Sequence, residues 1–381
     1  MIGNKEEISL YFHIPFCTRK CSYCHFYVLP DKESSKIELL DGLYQEWERW
    51  LPFLQNKTVR TIYFGGGTPF LFGPERVASV LNLIKQTATL TAAPPEITLE
   101  ANPENVTLEL MQAYKAAGIN RISLGVQTLD DSLLQLLGRL HCGNKALEAI
   151  YTTQAAGIDN ISIDLMYDLP QQTLQHWEQT LKVVSTLPIT HLSLYNLTIE
   201  PHTVFFKKQA ILRKLLPDEE TSLAMYEMAI DILEAKGLMQ YEISAFAKAD
   251  YQSKHNVGYW TARPFLGLGP SAFSYWENKR FRNIAHLKKY REQLQAGLSP
   301  IDFEEELDPQ AHVRELLVIE LRLRTGINIK AFQEKNGAIK AEMWQVLRQL
   351  QKETFLEIDT ETIKLTKRGI LFYDTVASEL I

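Results

Sequence analysis

The sequence predicts an α/β fold followed by a smaller C-terminal α+β domain, on three observations. Short apolar strand candidates alternate with helix-period stretches through the first two-thirds of the 381 residues. Glycines and polar residues collect at the ends of those strands. Near residue 300 the pattern changes to helices followed by a hairpin.

The strand candidates end near His13, Phe64, Glu100, Val126, Leu165, Leu197 and Phe246. After the first, Ile37, Leu40, Leu43, Tyr44, Trp47, Trp50 and Leu51 recur at spacings of three and four, which predicts a helix with one apolar stripe facing a core. Seven βα-like units within about 260 residues fit an incomplete or modified parallel barrel, whose C-terminal loops would gather around one cavity. Periodicity does not report closure, so a doubly wound sheet stays open at this point. Residues 300–309, with five acidic side chains and no periodic face, read as a connector between a first domain, 1–299, and a second, 300–381. Beyond it 312–323 is helix-like, 327–332 leads into another short helix and 342–352 is amphipathic. Segments 355–359 and 362–366 predict a hairpin before a last helix at 367–378, an order that resembles a winged helix. Lys364, Lys367 and Arg368 are too few to carry DNA binding, so a lid, docking surface or dimer contact fits this module better.

A net charge of −6 gives no general basic field for nucleic acid. The N-terminal Met-Ile-Gly-Asn-Lys-Glu-Glu lacks the apolar stretch of a signal peptide, and no uncharged apolar run of about 18 residues occurs. A cytoplasmic protein is expected, and only four cysteines agree with a reducing compartment.

Three of those four, Cys17, Cys21 and Cys24, form a Cys-x-x-x-Cys-x-x-Cys array. Three thiolates without a fourth suit an iron-sulfur cluster that keeps one iron open for a ligand from outside the chain. A structural zinc site would need a fourth ligand, and His25, adjacent to Cys24, is badly placed to supply it. With the preceding His13-Ile-Pro, the run resembles the signature of the radical S-adenosylmethionine (SAM) superfamily. It is similar to the branch containing oxygen-independent coproporphyrinogen III oxidase and the haem chaperone HemW. In the oxidase a further cysteine follows the third by two residues; here Phe26 stands there, which points to the chaperone family. That resemblance implies an open (β/α)6-type barrel, a [4Fe-4S] cluster on Cys17, Cys21 and Cys24, and SAM chelating the open iron. It further implies reductive cleavage of SAM to methionine and a 5'-deoxyadenosyl radical by an external electron donor.

Gly65, Gly66, Gly67 and Thr68 follow the strand ending at Phe64; alone, such a run is either a binding loop or a packing turn. Glu100, Gln127 and Asp164 close or sit in apolar strands, and Arg139 follows in Leu-Gly-Arg-Leu-His. Each could equally be a cap, a salt bridge or a solvated strand end. By resemblance the glycine loop cradles the amino group of SAM, and Glu100, Gln127, Arg139 and Asp164 match residues contacting its amino, carboxylate or ribose groups. Arg139 suits the carboxylate, and Asp164 or Gln127 the ribose hydroxyls. Tyr11 matches a tyrosine near the same cofactor.

The likeness continues through 164–173, 191–200, 241–244 and 255–260, covering roughly residues 8 to 280 in order. Two departures stand out: Asp168 replaces a usual Gly before Leu-Pro, and Phe273 a frequent His. His255 opens His-Asn-x-x-Tyr-Trp, a motif the family associates with haem, and its imidazole could ligate haem iron as cargo. His141 and Cys142 form a second, weaker candidate pair. The implied partners are haem, an electron donor, an acceptor such as a membrane respiratory haemoprotein, and a second copy of the chain; coproporphyrinogen oxidation is the alternative activity.

Overall fold

The computed structural model describes residues 5–381. Six strands, β1 (Glu6–Ile14), β2 (Lys57–Gly66), β3 (Glu96–Ala101), β4 (Arg121–Gln127), β5 (Asn160–Tyr167) and β6 (His191–Asn196), lie side by side in chain order and pair in parallel. Parallel neighbours need crossovers, and helices supply them. These are α1 (Glu33–Leu54), α2 (Pro74–Thr87), α3 (Leu108–Ala117), α4 (Asp131–Leu137) with α5 (Gly143–Ala155), and α6 (Leu174–Val184). Covered on both faces, the central strands lose the alternation of a half-exposed sheet, and every residue of β4 is buried.

The expected seventh βα unit is not one. After α7 (Glu219–Glu234), β7 (Met239–Glu242) and β8 (Ala245–Ala247) form an antiparallel hairpin, and β8 pairs antiparallel with β6. Only two residues separate β7 from β8, too short a link for a parallel crossover. On the opposite flank β9 (Phe265–Leu268), reached through α8 (Lys254–Trp260), pairs parallel with β1. It continues antiparallel into β10 (Phe273–Trp276), β11 (Lys279–Asn283) and β12 (Ile301–Glu306). The twelve strands run β12-β11-β10-β9-β1-β2-β3-β4-β5-β6-β8-β7, with β12 and β7 as free edges, so the barrel is open.

The segment expected as a connector is therefore β12, an edge strand of the main sheet. Its acidic residues face a basic partner: Lys279 pairs with Glu304 at 3.0 Å, Arg280 with Glu305 at 2.6 Å and Arg282 with Asp302 at 3.0 Å. The stripe of α1 is also shifted, because Ile37 is 51% exposed while Leu39, Leu43, Glu46 and Trp47 are buried. Glu46 ties α1 to the added strands, accepting from Gly269 N at 2.8 Å, Asn283 Nδ2 at 2.6 Å and the hydroxyl of Tyr290 on α9 (Leu287–Gln295) at 2.6 Å.

The C-terminal module begins with α10 (Pro309–Glu320). It continues through α11 (Ile329–Asn336), α12 (Ala341–Lys352) and a small antiparallel sheet, β13 (Ile327–Asn328), β14 (Leu356–Ile358) and β15 (Thr362–Leu365), in the order β13-β15-β14. The last expected helix is two, Lys367–Leu371 and Tyr373–Leu380. Arg322 fastens this module to the barrel: it pairs with buried Glu242 at 3.2 Å, and its guanidinium lies 4.3 Å over the ring of Trp260 and 5.3 Å over Tyr373.

Candidate functional site

The strand ends of β1–β4 and the loops beyond them are bound to one another before any ligand is considered. Gly67 N donates to Ile14 O at 2.9 Å and Thr68 N to Phe16 O at 2.7 Å, docking the glycine loop on the chain that leaves β1. Gly66 has φ +114°, and a Cβ there would lie 2.7 Å from the His13 ring. A Cβ on Gly67 would meet Phe16 O at 2.7 Å. The glycine run is thus a packing turn and a cavity wall at once, since Gly66 and Gly67 also line the pocket.

Cys17, Cys21 and Cys24 sit half-buried on a loop that bridges the barrel mouth. Ser22 N donates to Leu137 O and Phe205 N to Ser22 O, both at 3.0 Å, so the loop is anchored from α4 and from the segment after β6. Cys17 Sγ lies 3.6 Å from Thr68 Oγ1, and Arg139 Nη1 donates to Cys21 Sγ at 3.5 Å. Burial pushes the Cys17 thiol up to about 11 and raises Cys24, the penalty that a bound cation removes. Among the described residues no three His, Cys, Asp or Glu side chains converge on a single-ion geometry. A cluster takes one thiolate per iron, so its cysteines need not converge on one point.

These thiols open into a cavity of about 410 Å³ that also receives Gly66, Gly67, Thr68, Glu100, Gln127, Arg139 and Asp164. Of the site residues expected from Tyr11 to Asp164, all but two line this one cavity. Gly65 lies behind the wall, where a Cβ would press to 2.9 Å on both Tyr11 and Tyr63. Tyr11 faces a neighbouring cavity instead, its hydroxyl 3.2 Å from His13 Nδ1. Strand pleat accounts for this: with side chains alternating along β1, Tyr11 shares its face with His13.

Glu100 accepts from the Tyr63 hydroxyl at 2.7 Å and from Gly66 N at 3.1 Å. Burial, opposed by the Tyr63 hydrogen bond and reinforced by Asp164, raises it to about 7. Asp164 accepts from Ser123 Oγ at 3.4 Å and is raised by burial to about 6. Gln127 is held at φ +68° beside a register shift between β4 and β5, a strained setting that turns a buried amide into the cavity. Burial opposes the charge on Arg139, but Tyr23, Cys21 and Glu104 outweigh it and hold its pKa above the usual value. Its Nη2 donates to Asn102 Oδ1 at 2.8 Å and to Gly125 O at 2.5 Å, while its buried Nε has no partner in the described residues. Two carboxylates near neutrality, an orphaned donor and three thiols on one wall fit a cluster with a cationic, carboxylate-bearing ligand.

Asn102 was not anticipated. It donates to Thr68 at 3.0 Å and accepts from Arg139, linking glycine loop and cluster loop. Its position two residues beyond Glu100 was the available signal, because alternate strand residues share a face.

His255, expected as a possible haem ligand, lies in the core. The ring is 1% exposed, with Nδ1 2.8 Å from Thr61 Oγ1 and Nε2 2.8 Å from the Tyr259 hydroxyl. Burial drives its pKa down to about 3, so it is a neutral core histidine with both nitrogens engaged. His141 is likewise held at 3.2 Å by Glu104 and by Val126 O, and Cys142 is exposed at the start of α5.

Residues 11–184 match the radical SAM superfamily, and residues 307–372 match the HemN C-terminal domain. The chain is 33% identical over 369 residues to the heme chaperone HemW of Bacillus subtilis, covering 97% of each. It is 37% identical over 266 residues to that of Escherichia coli, covering 70% of this chain and 69% of the relative. It is also 30% identical over 394 residues to the mitochondrial radical S-adenosyl methionine domain-containing protein 1 of Danio rerio, covering 98% and 87%. In fold it is similar to the E. coli coproporphyrinogen III oxidase HemN, with a TM-score of 0.86 at 23% identity, over 100% of this chain and 91% of that one.

Proposed function

The chain belongs to the radical SAM superfamily and within it to the heme chaperone HemW family, and from that premise we propose that it binds haem and delivers it to an acceptor haemoprotein. The observation that carries this reading is the likeness to a named haem chaperone along 97% of the chain. Phe26, 54% exposed where the oxidase has its further cysteine, agrees with it.

In this reading Cys17, Cys21 and Cys24 hold a [4Fe-4S] cluster, and the cavity beside them holds SAM. When bound, that pair supplies one-electron cleavage of the sulfonium, with the electron from an external donor. The chain's own residues bind and orient. Arg139 steadies the Cys21 sulfur, Glu100 and Asp164 offer carboxylates to a cationic ligand, and Gln127 and the glycine loop set its depth. In this reading reductive cleavage would gate the cargo rather than transform it. The acceptor is a membrane respiratory haemoprotein reached from the cytoplasm, and the module from residue 307 is the surface for docking or for a second copy of the chain. No described helix is long and apolar enough to cross a membrane.

The test is anaerobic. Protein reconstituted with iron and sulfide should bind haem with roughly micromolar or tighter affinity. Given reductant and SAM, it should form no protoporphyrinogen IX from coproporphyrinogen III. Turnover with loss of two carboxyl groups would overturn the chaperone reading.

A further inference from the structure

We infer that haem is seated in a second cavity, of about 540 Å³, between the cluster loop, the β9–β10 turn and α10, with His25 as the iron ligand and Arg263 at its carboxylate edge. The inference rests on the haem-carrier reading and gives it a place.

A porphyrin is a flat apolar disc with carboxylates along one edge, and this cavity has that polarity. Its walls are largely aromatic and aliphatic, Tyr259, Phe265 and Tyr275 on the barrel side and Leu316 and Ile319 on α10, with Glu315 neutralised there by Arg280. Tyr259 and Phe265 already meet edge to face at 4.6 Å. The volume lies within the range of small-molecule sites, which form preferentially where two structural units meet. Arg263 lines the same space, half-buried. It donates to Ser9 Oγ at 3.2 Å and to Lys254 O at 3.1 Å, and no carboxylate of a described residue forms an ion pair with it. A sequestered guanidinium without a counter-ion is costly, and a propionate would supply one.

The ligand follows from the hydrogen-bond inventory. Tyr11 and His13 hold each other, His13 Nε2 lies 3.1 Å from Tyr27 O, Tyr259 is bound to His255, and Tyr275 lies 3.1 Å from His312. His25 differs. It is exposed, its ring lies 4.8 Å from that of Phe26, and it has no hydrogen-bond partner among the described residues. An exposed imidazole with both nitrogens unengaged can reach a cargo iron, whereas a ring locked in the core cannot.

Full-length, cluster-reconstituted protein titrated with haemin tests this, read from the Soret band and the fitted affinity. His25→Ala and Ile319→Trp should each weaken binding at least about tenfold with iron and sulfide content unchanged. His25→Tyr should keep a ligand of another type and move the band. Wild-type affinity and band position in all three variants would overturn the seat while leaving the carrier reading standing. Weakened binding in Ile319→Trp with an unaltered spectrum in both His25 variants would overturn the ligand assignment. A wild-type protein that binds no haem would overturn the carrier reading itself.

Discussion

Asp168 stands at φ +59°, in the left-handed region that favours glycine. Aspartate is tolerated there because it is among the few side chains that enter this region readily. Its carboxylate also accepts two bonds, from Asn196 Nδ2 at 2.6 Å and Ser222 Oγ at 2.5 Å, so the turn is pinned to β6 and α7. Glu100 is the residue on which the proposed SAM pocket is best tested. Glu100→Gln keeps an acceptor for Tyr63 or Gly66 but not both, and removes the charge. SAM affinity should fall about tenfold with cluster content intact, measured by equilibrium dialysis on reconstituted protein. Undiminished affinity would remove Glu100 from the site. Such residues were legible because chemistry at a strand end leaves a mark in sequence: a carboxylate or amide closing an apolar run. Partners that only orient them leave none, and Tyr63 and Ser123 became visible only through their bonds.

Elements were read well where one face is apolar and poorly where charges pair across a sheet. The six parallel strands each centre on apolar residues, and their alternation with helices marked them as parallel. In contrast β12 has acidic residues on both faces, and only the basic strand opposite, some 20 residues earlier in sequence, explains it. Glu46 was hidden for the opposite reason: a carboxylate inside an apolar helical face looks like an interruption. Buried, with the bonds of Tyr290, Gly269 and Asn283 opposing, it is raised to about 7 from 4.5. A folded state that binds a proton more tightly than the unfolded chain loses stability as pH rises through that interval. Thermal stability of wild-type protein should therefore decline between about pH 5 and pH 8. Glu46→Gln, though less stable throughout through a mismatched hydrogen bond, should decline less steeply. Parallel slopes would show that Glu46 does not titrate there.

At the scale of the whole molecule, the two cavities share a partition. His25 and Phe26 line both, on the loop that carries the three cysteines, and Arg139 grips that loop from the cysteine-lined cavity while α10 closes the far side. A partition that two occupants press from opposite sides makes their affinities interdependent, and such interdependence is reciprocal by thermodynamic necessity. The factor by which SAM changes the haem dissociation constant must equal the factor by which haem changes that of SAM. Titrating each ligand with and without the other should return one common ratio different from unity, and a ratio of one in both directions would describe a rigid wall. With a common ratio, the chain is a two-input device in which loading one chamber resets the grip of the other before any bond is broken.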